Sequence, residues 1–480
     1  MLILDEQSKI PLYVQLYEYI KAEILSGRIT AGQKLKSGRD MSVELQISRN
    51  TVDLAYGQLA AEGFIVSEPR KGYYVETGQT SHARSEAPHG FAHMHLHAHA
   101  PFLQRDAAHS AGNKAEPNID FRGGKLLLSE LPFNQWQKLT AGCFLDYREN
   151  LAQRGTAFGE PGLRAEIEKY IRNYRDVVCS AEQIIVTPGT QFSLELVCRL
   201  LKTLKNEPAL AMEEPGYERS RLTFQDSGLK VCPVRLDRYG LSAEELSAAE
   251  VSAVYVTPSH QFPTGIVMPA SRRAELAALA ESRDLLIIED DYNCHFQHSQ
   301  RPIPSIQSLC ADRTIYIGGF SDIMLPSIQI SFMVVPERLL EQLRKWYDGY
   351  APFVPFLSQK PMELFMREGH WERHLRKTRK LQRLKCEALV GAFKDKFGDS
   401  VRLSGVQTGL HLLVRARWFA TEADLILQAR NAGVLVYPTS AHWSRAGDAP
   451  AGTVLLNYGG VELEDIPVAV ERLHRAWRGS

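Results

Sequence analysis

No apolar run in this chain approaches the ~18 residues that a bilayer-crossing helix needs, so a membrane span is not expected. No two cysteines form a C-x-x-C pair. The seven present (Cys143, Cys179, Cys198, Cys232, Cys294, Cys310 and Cys386) are scattered and odd in number, which excludes a zinc framework or a disulfide scaffold. Reduced thiols and a cytoplasmic setting follow. A signal peptide is not expected either, because Asp5 and Glu6 come too early for one. Net charge is also missing: 56 basic residues balance 56 acidic ones, so any contact with a polyanion must come from a local patch.

What is present is an ordinary globular composition, 44% hydrophobic over 480 residues, enough for two to four domains. Residues 1–76 form one block. Pro11 opens a helical pattern with Leu12, Leu16, Ile20 and Ile24 on one face, and Gly27 stops it. Further helices are predicted near Arg39–Leu45 and from Arg49 to Glu62, then two short strands, Phe64–Val66 and Tyr73–Val75, around a turn at Pro69–Gly72.

Residues 77–117 are poor in large apolar side chains and read as a linker. Seven of the 15 histidines lie there. His93, His95, His97 and His99 alternate, so an extended chain would present them on one side, where they could hold a transition metal. A solvated linker with a chance run of histidines is the preferred reading, and no metal site is assigned. From Asn118 to the end, apolar runs (Ile184–Val186, Ala209–Ala211, Ala253–Val256, Leu285–Ile288, Ile315–Ile317) alternate with helical patterns such as Ser193–Leu204 and Ala270–Ser282. That alternation predicts an α/β body with a mainly parallel sheet, which binds ligands at the C-terminal ends of its strands.

Helix, helix, Ser48-Arg49-Asn50-Thr51-Val52, helix and hairpin is the layout of a winged helix-turn-helix (α+β). Ser48 is a good N-cap, leaving Arg49, Asn50 and Thr51 on the exposed first turn of the recognition helix. Arg suits guanine, Asn suits adenine, and Thr51 suits a phosphate or a thymine methyl. The block resembles the DNA-binding domain of the GntR superfamily through Pro11-Leu12-Tyr13, Gly27-Arg28-Ile29, Gly32, Leu35, Ser37, Arg39, Ser48–Val52, Ala55-Tyr56, Leu59, Glu62-Gly63 and Gly72. The resemblance implies a double-stranded operator as partner, phosphate contacts from Arg39 and Arg49, and a wing reaching the minor groove. Lys36, Arg70 and Lys71 extend the basic cluster. Nine basic against ten acidic residues give the block a net charge of −1, and Glu68 and Arg70 replace the family's usual Arg and Gly at the wing.

Residues 118–480 resemble fold-type I pyridoxal-phosphate aminotransferases. Six segments occur in order: Gly159–Arg164, Thr187–Gln191, Glu214–Tyr217, Thr257–Gly265, Glu289–Tyr292 and Gly318–Ser321. Joined to a GntR-type head, the whole looks like the MocR subfamily of bacterial regulators. The large lobe is expected over about 118–370 and the small lobe over about 371–480. The resemblance implies a head-to-tail homodimer. It also implies a pocket in which Gly189, Thr190 and Gln191 offer a helix start to a phosphate, Asp290 faces the pyridine nitrogen, Tyr292 the phenolic oxygen and Ser321 the phosphate. Tyr217, Arg219 and His260 belong to segments that line the same pocket.

Two positions break the pattern. Asp322 stands where the family has its Schiff-base lysine, and Gln329 where an arginine grips the phosphate. The flanking Leu325-Pro326 and Ile328–Phe332 stay in register. An aspartate forms no imine, so no catalytic residue is assigned. Each lost or reversed contact with a phosphate at ~5 Å is worth roughly 3 kcal/mol at an effective dielectric of ~20, while the helix start returns at most about 2 kcal/mol. The stretch Thr453–Gly459 also lacks an arginine to clamp a substrate carboxylate. The expectation is a transcriptional regulator with a degenerate sensor body, no covalently bound cofactor and an unnamed small-molecule effector. The alternatives are a pyridoxal-phosphate-dependent enzyme or a cofactor-sensing regulator. The basic run Arg373–Lys385 is expected to be a solvated helix face.

Overall fold

The computed structural model describes residues 11–30, 32–61, 64–68, 72–75, 119–297, 303–418 and 420–478. The chain divides into two compact units, the head and the body. Arg70, Lys71 and the histidine-rich stretch 77–117 lie outside the described residues.

In the head, helices Leu12–Leu25, Gly38–Leu45 and Arg49–Ala61 precede a hairpin of Ile65–Glu68 and Gly72–Val75, with Ile65 opposite Val75. Serine caps start the second and third helices: Ser37 Oγ accepts from Asp40 N at 3.2 Å and Ser48 Oγ from Thr51 N at 3.1 Å. Leu16, Ile20, Val52, Ala55, Leu59 and Ile65 close the core from the first helix, the third helix and the hairpin, and half-buried Met41 and Leu45 of the second helix pack against it. The second and third helices approach so closely that a Cβ on Gly38 would lie 2.7 Å from Asp53 Oδ1, so a larger residue there would displace the Asp53 carboxylate.

The body is built on an eight-stranded sheet. Its order is Ile184–Thr187, Ser331–Val334, Thr314–Gly319, Leu286–Asp290, Ala253–Val256, Ala209–Glu214, Lys230–Asp237 and Gly240–Leu241. Ser331–Val334 and Gly240–Leu241 pair antiparallel with their neighbours, and the other pairings are parallel. The five predicted strands are all present. Strands such as Ala253–Val256 and Leu286–Asp290 are buried at every position because helices cover both faces, which explains their unbroken apolar runs. Leu194, Val197 and Leu201 of helix Thr190–Leu204 seal one face, and Leu276 and Ala280 of helix Ala270–Arg283 the other.

A second sheet, Val401–Ser404, His411–Ala416, Thr453–Asn457 and Tyr437–Pro438, is antiparallel throughout. Helices His370–Phe397 and Asp465–Arg478 share its core through Phe393, Leu389, Val470 and Leu473. Ile119–Asp120, expected at the start of the large lobe, pairs parallel with Val434–Leu435, and Ile119 and Phe121 are buried in this C-terminal core. Their apolar side chains find cover there. The basic run is also not wholly solvated. Lys385 is buried, pairs with Glu130 and donates to Gly459 O at 3.1 Å, and Gln382 Nε2 donates to Glu130 Oε2 at 3.0 Å. Among the described residues no helix is long and apolar enough to cross a membrane.

Candidate functional sites in head and body

On the head, Arg49 and Asn50 are exposed at the start of the third helix, and the Arg49 side chain retains 73% of its accessible surface. Thr51 is half-buried, with its Oγ1 2.8 Å from Ser48 Oγ. Arg39 is exposed on the first turn of the second helix, and Lys36, also exposed, pairs with Glu44. Asp53, one turn after Arg49, approaches its Nε at 3.6 Å. Six of the predicted contact residues therefore lie on or just before the starts of the second and third helices: Lys36, Arg39, Ser48, Arg49, Asn50 and Thr51.

In the body, the predicted residues converge at strand ends, as the parallel sheet requires. Gly189 (φ +97°) precedes helix Thr190–Leu204, and a Cβ built on it would meet Gln329 Oε1 at 3.1 Å. The carboxamide of Gln329 thus covers this helix start, while its Nε2 donates to Pro326 O at 3.0 Å. Thr190 is half-buried and Gln191 exposed beside it. Asp290 ends the strand Leu286–Asp290 and is buried. Burial, against the Tyr255 hydrogen bond (2.6 Å), raises its pKa to about 7, and the neighbouring charges of Asp291 and Asp322 push the same way. Asp322 is half-buried, and burial alone pushes its carboxyl up to about 6, with no hydrogen bond or cation opposing it. The buried Tyr292 hydroxyl has no hydrogen-bond partner, and its pKa is raised by burial and then by Asp290 and Asp322.

Tyr217 starts helix Glu218–Asp226, with its ring edge-on to Phe262 at 5.3 Å. Arg219 is exposed two residues on. Ser321 lines a small recess with Trp136, Phe320 and Met324. His260 is used differently from a pocket-lining group. It is fully buried, its Nδ1 lies 2.6 Å from Thr408 Oγ1 and its Nε2 3.2 Å from His411 Nδ1, so it ties the sheet end to the C-terminal lobe. A second tie lies between the same lobes. Ser444 N and Oγ donate to Glu214 at 2.6 and 2.8 Å, and Arg221 Nη2 donates to Ala441 O at 2.9 Å.

Two acidic residues of this region, Glu213 just before one motif and Asp291 inside another, were given no role in the sequence. Glu213 is 2% exposed, takes hydrogen bonds from Thr257 Oγ1 (2.6 Å) and N (3.1 Å), and is still raised to about 7 by burial. Asp291 is the partner of buried Arg175, at 2.6 Å to Nε, and also accepts from Tyr316 Oη at 2.7 Å. Burial would raise Asp291, but Arg175 and these bonds hold it below the usual carboxylate range. The adjacent Glu289-Asp290-Asp291 could have flagged alternating sheet faces; Phe262 sits within the motif Thr257–Gly265 but nothing local assigns its ring a role, and nothing local marks His411 or His442.

Residues 12–75 match the model of bacterial regulatory proteins of the gntR family, and residues 131–442 that of aminotransferase class I and II. The chain is 36% identical over 475 residues to the HTH-type transcriptional regulator YhdI of Bacillus subtilis, covering 99% of this chain and 97% of that one. It is 30% identical over 482 residues to the probable rhizopine catabolism regulatory protein MocR of Rhizobium meliloti, covering 99% and 96%. Among solved structures, the α-aminoadipate aminotransferase LysN of Thermus thermophilus superposes with a TM-score of 0.66 at 24% identity, covering 75% of this chain and 92% of that one, a likeness of fold. These matches define a two-part protein, a helix-turn-helix head joined to an aminotransferase fold. The chain belongs to the MocR-like family of GntR-type transcriptional regulators.

Proposed function

We propose that this regulator binds its operator through Arg39, Arg49, Asn50 and Thr51, with further contacts from Lys36, Ser48, Arg70 and Lys71. Its body works as a sensor and not as an aminotransferase. The observation that carries the second half is the carboxyl of Asp322, near enough for its charge to act on Asp290, where the resemblance implies an amine. A carboxylate has no nitrogen to condense with an aldehyde. Asp290, Tyr292 and the helix start at Gly189 fit the ring and one phosphate face of pyridoxal phosphate. Asp322 and Gln329 do not fit its aldehyde and the rest of its phosphate, so no covalently held cofactor and no transamination step are assigned.

Residues 1–76 serve as the head, 77–117 as the linker and 118–480 as the body, in a cytoplasmic head-to-tail homodimer. Exposed Leu128, Phe133, Phe144 and Leu145 support a self-association surface on the body. The deciding experiment mixes the purified full-length chain with pyridoxal phosphate, then adds borohydride. No imine absorption band and no covalent adduct are expected. Asp322→Lys with Gln329→Arg is expected to recover both, and an imine on the wild type would overturn the reading.

A further inference from the structure

The residues facing the cleft have a shared chemistry. Phe262 stands among aromatic rings: its centroid is 5.3 Å from Tyr217, 6.3 Å from Tyr292, 4.9 Å from His411 and 4.7 Å from His442. Burial drives both imidazoles down to about 4, so they are neutral above pH 5 and act as rings, not cations. The charges of Glu213, Asp290 and Asp322 all act on the hydroxyl of Tyr292, one of these rings.

Three orphaned groups add to the acidic cluster. Asp322 has no hydrogen bond or cation opposing its burial. The buried Tyr292 hydroxyl, close enough to Asp290 and Asp322 for their charges to act on it, has no partner. Glu213 Oε1 is buried and unpartnered as well. Native proteins rarely leave such groups unmatched. A cation would match the two carboxyls, and its N–H groups would find an acceptor in Tyr292. Ring faces attract cations too. Metal ions prefer a shell of oxygens, whereas one wall here is aromatic.

Resting on the sensor reading above, we infer that the cleft binds a small organic ammonium ion, its charge between Asp322 and Asp290 and its aliphatic body against Phe262. No phosphate is needed on this ligand, because the Gln329 carboxamide already lies against the helix start at Gly189. Affinity rises with pH, since the carboxyls of Asp322, Asp290 and Glu213 give up protons between about 6 and 7 while an alkylammonium stays charged. The other titratable groups acting on them are Asp291, held ionised by Arg175 and raising Asp290 with its charge, and the tyrosines 217, 255 and 292, all raised above their ordinary values; the charge of exposed Arg219 acts on Tyr217.

The test titrates the full-length protein with butylammonium, 1,4-diaminobutane and tetramethylammonium, followed by calorimetry and by melting temperature, at pH 8 and pH 5.5. At least one probe is expected to bind in the micromolar to low-millimolar range at pH 8, about tenfold more weakly at pH 5.5. Asp322→Asn and, separately, Phe262→Leu should each weaken it at least tenfold while leaving the circular dichroism spectrum unchanged. If Asp322→Asn fails to fold, the pH dependence and Phe262→Leu carry the test. No binding of any probe at pH 8, equal binding at both pH values, or binding of potassium or magnesium ions in their place would overturn the inference. Those outcomes with no imine from pyridoxal phosphate would sink the ammonium site alone; an imine would overturn the sensor reading beneath it.

Discussion

Tyr255 donates its phenolic proton to Asp290 Oδ2 across 2.6 Å, joining strand Ala253–Val256 to the end of its neighbour Leu286–Asp290. The bond favours the ionised carboxylate, against a burial that raises its pKa to about 7. Asp290 is thus protonated in the folded chain and ionised in the unfolded one between pH ~4 and 7. Its stabilising contribution is present at low pH and lost as pH rises through that window. Tyr255→Phe removes the opposing bond, so its cost should be small at pH 5 and about 1–3 kcal/mol at pH 8. Melting temperatures of the two proteins across this range check it; a cost that is larger at pH 5 refutes it.

Asp322→Asn should act in the opposite direction. Asp322 rises from 3.8 to about 6 on folding through burial alone. Its charge therefore works against the fold above pH ~6. Removing that charge is expected to stabilise the ligand-free protein by roughly 2 kcal/mol at pH 8 and by little at pH 4.5. Denaturant unfolding at the two pH values would show whether the gain has this dependence.

Arg175 and Asp291 form an ion pair with both side chains fully buried. Asp291→Asn keeps the shape but leaves the guanidinium without its counter-charge, so a loss of about 3–5 kcal/mol is expected. Because folding holds Asp291 below its usual value, the wild type keeps this contribution above pH ~4 and loses it on further acidification. A thermal scan of Asp291→Asn within a degree of wild type would contradict it.

On the head, Arg49→Ala and Asn50→Ala should each weaken operator binding by about 1–3 kcal/mol. Asp53 competes with phosphate for Arg49 at 3.6 Å. Asp53→Asn should therefore tighten binding to unrelated duplexes several-fold at low salt, with a steeper salt dependence. Titrations of wild type and variant from low to physiological salt separate this from a structural effect: parallel slopes would argue against competition.

The sheet was legible because buried parallel strands are apolar at every position, as at Ala253–Val256, and each is followed by a helix of the expected period. The half-exposed strand Lys230–Asp237 mixes Lys, Pro and Arg with Val and Leu and carries no such mark. The head was legible from capping chemistry at Ser48. In the cleft, contiguous motifs located Gly189, Asp290, Tyr292 and Asp322. Phe262, His411 and His442 meet only through folding, from segments about 150 and 31 residues apart, and their ring wall has no linear signature. His260 looked like a pocket residue because it sits inside a motif; its partners Thr408 and His411 lie some 150 positions on, beyond any local reading.

The short strand Ile119–Asp120 has a mechanical consequence. It is hydrogen-bonded into the C-terminal lobe at Val434–Leu435, and Phe121 N bonds to Leu435 O at 3.1 Å. This first described strand of the body thus belongs to the half that contributes His411 and His442 to the cleft, and not to the eight-stranded half that contributes Asp290. A hinge motion between the two lobes would carry Ile119 and Phe121 with the C-terminal lobe, so the start of the body would report on the width of the cleft.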